Sequence, residues 1–145
     1  VLAAVGAAYA FEFAEKNRKA RLLKVLKLRE QLIDAVLREI PEAALTGSRK
    51  HRSPHNAHFH FPHVDGDYLT VLMDREGVAV SPRSACAGSG GARSDVVFAL
   101  TKDDDLARGT IRLTLGPTTT SADIKKAVLA LKKVLPLATA IPGLK

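Results

Sequence analysis

Residues 1 to 40 read as one long helix, and no other stretch limits the fold so strongly. Leu22, Val25 and Leu26, then Leu32 and Ile33, then Val36, Leu37 and Ile40 recur at three- and four-residue spacing, giving one stripe for burial. Pro41 ends the run, because its ring would clash with the preceding turn. The first dozen residues are more uniformly apolar, as in a helix packed on more than one side, and alone they would leave an exposed apolar surface. With no cap ahead of it and no initiator Met, this start reads as cut from something longer.

The remaining residues alternate between short strands and helices. EAALTGSRKHRSPH (42 to 55) is a predicted loop. AHFHF then alternates strictly, with Phe59 and Phe61 on one face and His58 and His60 on the other, a half-buried strand. VDGDYLTVLMDREG predicts a helix with Leu69, Leu72 and Met73 inward and Gly77 as its stop. VAVS (78 to 81) predicts a short strand, 87 to 93 a glycine-rich loop, and SDVVFAL a short helix capped by Ser94. DDDLARG predicts another helix, with its carboxylates at the positive end of the dipole. TIRLTL (110 to 115) alternates as a strand. After GPTTT comes an amphipathic helix with a Thr120/Asp123 capping box, and PLATAIPGLK is expected to be irregular. The fold class is α/β in an α+β arrangement.

At 145 residues the chain has room for about one domain. A net charge of +7 suits nucleic acid, an anionic membrane or an acidic protein without selecting among them. The basic residues are spread out, with Lys16 to Lys27 on one predicted helix and Lys125 to Lys133 on another, and there is no Arg-Gly-aromatic interleaving, so no nucleic-acid partner is expected. No apolar run reaches membrane-span length, so no membrane partner is expected either.

SPRSACAGSG (81 to 90) holds the chain's one cysteine, Cys86, among small polar neighbours. Such neighbours leave room for a target, and Arg83 favours a thiolate, so Cys86 is a candidate nucleophile; an inert surface thiol fits the same residues. A lone cysteine also excludes an internal disulfide and fits a reducing compartment. Arg112, mid-strand with Thr114 on the same face, is either a two-pronged carboxylate clamp or a solvated edge arginine. Arg108 reads as a helix-surface residue. His51, His55, His58, His60 and His63 lie close in sequence, but no cysteine or acidic cluster completes a ligand set, so no metal is expected. GSGGA lacks the spacing of a dinucleotide loop.

Taken in order, NAHFHFPHVDGDYL, DREGVAVSPRSACAGSG, SDVV and ARGTIRLTLGPTTTSADI resemble the C-terminal part of the cysteine desulfurases, pyridoxal-phosphate enzymes of the class V aminotransferase family. The cysteine segment is similar to that of the iron–sulfur and nitrogenase-assembly group, which has a long mobile active loop. The resemblance implies the C-terminal small domain of a fold-type I transferase. Residues 1–41 would be the long helix linking to a large domain, and 42–145 the small domain with its sheet, helices and cysteine loop. It implies that Cys86 takes sulfur from L-cysteine as a persulfide, releasing L-alanine, and that Arg112 clamps the substrate carboxylate. Asn56 matches a strand position near the active site, as a substrate-binding residue.

The resemblance further implies a homodimer, a sulfur-acceptor protein such as an iron–sulfur scaffold, and a cytoplasmic or organellar-matrix location. Pro82 and Arg83 stand where the family usually has Ser-Gly, and Lys50-His51 reverses the family's His-Lys pair in the wrong place. The pyridoxal phosphate lysine is therefore expected outside this chain, which would hold no cofactor-binding residue and turn over nothing alone. A cofactor-free sulfur carrier, a selenocysteine lyase or another class V enzyme remain the alternatives.

Overall fold

The computed structural model describes residues 1–83 and 93–139. Helix α1 runs Leu2–Glu39 and stops two residues before Pro41, with Ile40 between them turning extended. Its buried stripe is Val25, Leu28, Leu32, Ile33 and Val36, continued by Ile40. The stripe is rotated slightly from the predicted one: Leu22 and Leu37 stay exposed, while Leu28 and Arg29 are buried. A three- and four-residue repeat defines a wide arc, and only the packing partner, here helix α5 (Ser121–Val134), selects its centre. Upstream of that contact, Val5, Tyr9, Phe11 and Phe13 are exposed.

Among the described residues the sheet has three antiparallel strands in the order β1 (Ala44–Leu45), β2 (Asn56–His60), β3 (Thr110–Thr114). β1 falls within the predicted loop. Two residues show no period, and this strand exists only because β2 offers an edge, with Leu45 opposite Phe59. The alternation of β2 is as predicted: Ala57 and Phe59, and then Phe61, face the core, while Asn56, His58 and His60 face the other side and are half-buried. The predicted strand at 78 to 81 is reduced to one bridge, in which Ser81 and Arg112 exchange backbone hydrogen bonds of 3.1 and 2.7 Å. Val78 and Val80 instead rest partly buried against the core.

Helix α2 (Gly66–Arg75) starts at Asp65, whose carboxylate accepts from the Tyr68 N–H at 3.0 Å. It ends at Gly77, at φ +70°, a region where a Cβ is disfavoured. Helix α3 (Asp95–Thr101) is capped by Ser94 and α4 (Asp104–Arg108) by Asp103. α5 carries the expected capping box of Thr120 and Asp123. Leu135–Ala138 form a 3-10 turn, a correction to the irregular tail predicted there. The core joins one face of the sheet to α1, α2 and α5, with Leu32, Ile33, Phe59, Phe61, Met73, Ile111 and Leu131 wholly enclosed. No described helix is long and apolar enough to cross a membrane.

Candidate active-site cleft

The sheet face turned away from the core carries the polar residues. β2 and β3 pair so that Asn56 lies opposite Thr114 and His58 opposite Arg112. Asn56, His58 and Arg112 line a cleft of about 260 Å³, with Thr46 beside β1 and the apolar Val96 and Leu100 of α3 on another side. Arg83 and Ser94 line it as well. Cys86 belongs to the sequence between those two and lies outside the described residues, as does the glycine-rich stretch after it. The cleft therefore joins two of the three expected site residues.

The residues on either side of that stretch are held firmly. Arg83 is paired with Asp67 at 2.8 Å, and the Thr110 hydroxyl donates to the Pro82 carbonyl. Arg93 is paired with Asp104 and stacks over the Phe98 ring at 3.6 Å. The Ser94 N–H donates to the Ala107 carbonyl at 2.7 Å.

Asn56 is oriented by a residue with no signal of its own in the sequence. Arg52 donates to the Asn56 Oδ1 at 3.0 Å and also to the Thr46 carbonyl. A guanidinium only donates, so Asn56 must turn its oxygen to Arg52 and keep its NH₂ as a donor elsewhere. Arg29, buried on α1, in turn holds this loop by donating to the Ser53 carbonyl at 3.2 Å.

No Asp or Glu lines the cleft among the described residues, and none of their ion pairs involves Arg112. The result is a field that favours an anion. Burial, then the charge of Arg112, then Arg52 and His60, push the His58 imidazole from its usual 6.5 to about 4, so it is neutral near pH 7. Burial lowers His60 too, against an opposing pull from Asp103; its Nδ1 lies 2.9 Å from the Thr46 hydroxyl.

These shifts predict acid sensitivity. Between pH 6.5 and 4 the unfolded chain protonates His58 and the folded chain does not. Stability is therefore full above about pH 6.5 and falls as pH drops towards 4, by on the order of 3 kcal/mol. Urea unfolding at pH 7.5 and 4.5 should show this fall, and His58→Leu should lose most of it. An equal fall in the variant would rule out His58 as the source.

The remaining candidates are dispersed. Arg108 is exposed in the last turn of α4, as expected. His51 and His55 are exposed, and His63 lies 3.1 Å from Asp105. Among the described residues no three of His, Cys, Asp or Glu gather as metal ligands. A larger groove of about 360 Å³ runs beside Phe61, Val64 and Leu135, but it holds neither Asn56 nor Arg112.

The small sheet, its helices and the long leading helix have counterparts in solved structures. A NifS-like protein superposes on 92% of this chain and 33% of its own, with a TM-score of 0.76 at 23% identity. The NifS-like protein from Rickettsia africae covers 82% and 30%, with a TM-score of 0.68 at 21% identity. This is the NifS-like fold, over one part of it. The sequence model of the aminotransferase class-V family matches residues 1–127, and the chain belongs to that family. Among curated relatives, the IscS-like cysteine desulfurase of Mycobacterium tuberculosis is 37% identical over 97% of this chain and 35% of its own length. The cysteine desulfurase IscS of Dictyoglomus turgidum is 34% identical over 90% and 33%. The chain thus spans about a third of the curated relatives it matches.

Members of this family generally use pyridoxal phosphate, whose aldehyde is held by a lysine amine. No lysine lines the cleft among the described residues. The cleft does not fit the cofactor itself; its donors and charge fit a small carboxylate.

Proposed function

We propose that this chain carries the carboxylate site and the sulfur-accepting thiol of a cysteine desulfurase. The observation that carries the reading is the cleft. Arg112 and Asn56 converge there on adjacent strands with no acid lining the cleft among the described residues, and Arg83 and Ser94, on either side of the Cys86 stretch, line the same cleft. The curated relatives named cysteine desulfurase support the same activity.

Arg112 binds and orients the α-carboxylate of L-cysteine through two parallel N–H donors, with the Asn56 NH₂ as a further donor. In the net reaction the Cys86 thiol receives the substrate sulfur. An S–S bond forms at Cys86, the substrate C–S bond is replaced by C–H, and L-alanine leaves. One sulfur is oxidised to the persulfide level as the substrate carbon is reduced, so no outside oxidant is needed. Pyridoxal phosphate would be held by protein outside this cleft, and the chain alone would not turn over. The persulfide would pass to an acceptor protein such as an iron–sulfur scaffold, from a homodimer in the cytoplasm or an organellar matrix.

The test is the Michaelis constant of the pyridoxal-phosphate-loaded enzyme. Loss of a charged two-pronged contact removes on the order of 2–4 kcal/mol, so Arg112→Ala should raise KM for L-cysteine by about thirtyfold or more. Arg112→Lys should recover only part, since an ammonium has no planar fork. An unchanged KM in Arg112→Ala would remove the carboxylate assignment.

A further inference from the structure

We infer that His58 is a binding residue of this cleft, giving an imidazole N–H to the same carboxylate that Arg112 holds. This rests on the carboxylate reading above and adds a third group to it.

Three observations lead there. His58 is directly opposite Arg112 in the β2–β3 register and shares its face of β2 with Asn56, so all three border one cleft. The His58 Nδ1 is enclosed and has no hydrogen-bond partner among the described residues. A neutral imidazole donates from one nitrogen and accepts at the other. An enclosed N–H with no acceptor is costlier than an enclosed lone pair, so the proton is assigned to Nε2, which becomes the available donor. The third observation is the surroundings. Arg112 faces the ring from β3, Arg52 from the loop before β2, His60 from the same strand, and Arg83 lines the cleft from the segment after α2. None of these groups offers a carboxylate to accept from His58, whereas an incoming carboxylate would.

Neutrality suits this role. A second permanent cation against Arg112 would be repelled in the empty cleft, whereas a neutral donor is not. Burial and those cations hold the free ring at about 4. A bound carboxylate offsets the repulsion and raises that value, so binding takes up protons from solvent, and affinity falls as pH rises through the bound-state value.

The experiment follows the His58 ring by nitrogen-15 NMR while the protein is titrated with L-alanine, with L-alaninamide, which lacks the carboxylate, and with inorganic phosphate. L-Alanine should perturb the Arg112 and Asn56 signals and raise the His58 pKa by about a unit or more; L-alaninamide should do neither. His58→Phe should weaken L-alanine binding by roughly tenfold, and His58→Gln, which keeps an N–H donor, should recover most of it. If Arg112 responds to L-alanine while the His58 titration stays put, the His58 inference fails and the carboxylate reading stands. No response at Arg112 overturns both. A response to phosphate but not to L-alanine overturns the carboxylate as the shared ligand. Should His58→Phe not fold, the wild-type titration decides alone.

Discussion

Gly109→Ala is expected to destabilise the fold severely and to lower its melting temperature. Gly109 closes α4 and leads into β3, where its carbonyl accepts from the Phe61 N–H at 2.8 Å and its own N–H reaches the Asp105 carbonyl at 3.1 Å. A Cβ at this position would lie 2.2 Å from the Phe61 carbonyl oxygen and 3.1 Å from that of Val64. Both obstacles are backbone, and both belong to wholly or nearly wholly buried residues, so neither can rotate aside. Relief requires pulling the start of β3 away from the end of β2, which breaks the ladder that juxtaposes His58 and Arg112. Overpacking plus a lost hydrogen bond removes about 3–5 kcal/mol, against a total stability of about 5–15 for a domain of this kind. The melting temperature by circular dichroism should fall by about 10 °C or more. Gly6→Ala is the control, since a Cβ at that helical position meets nothing within 4 Å. Equal melting of the two variants would show that the Gly109 junction relaxes at no cost.

Cys86→Ser should abolish sulfur capture, the largest functional effect expected. A thiolate is a strong nucleophile near neutral pH, whereas a hydroxyl is scarcely ionised and cannot form the S–S bond that stores the sulfur. Because Cys86 is this chain's one cysteine, any persulfide that mass spectrometry finds on a peptide of this chain sits there. Loaded with pyridoxal phosphate and given L-cysteine, the wild-type enzyme should gain the mass of one sulfur on this chain. The serine variant should gain none, while keeping its cofactor and its melting temperature. Captured sulfur on the serine variant would exclude Cys86. No gain in a folded, cofactor-loaded wild type would exclude the desulfurase reading and bring forward a carrier role.

Much of the secondary structure was legible because its causes are local. Pro41 and Gly77 stop helices, Ser94, Asp103 and Thr120 start them, and each acts within a turn of its own position. The alternation of β2 placed His58 and His60 opposite Phe59, and the spacing around Arg112 marked it as a strand residue. The motif order, itself linear information, pointed to the family. Features without a local cause were missed: the two-residue β1, the reduction of 78 to 81 to a single bridge at Ser81, and the burial of Leu28 and Arg29 in place of Leu22 and Leu37. Each depends on what an element meets rather than on what it contains.

The site divides in the same way. Sequence alone determined which residue types were available: a single thiol, a strand arginine, an asparagine, and two histidines on one face. Only the tertiary structure decided that His58 stands opposite Arg112, that Arg52 turns the Asn56 amide, and that no acid lines the cleft among the described residues. The physical reason is register. Phe59 and Ile111 are directly paired, and their burial on the core face locks β2 to β3, because a slip of one residue would turn one of them outward. The polar residues on the opposite face are brought together as a consequence, across a sequence separation that no local pattern spans.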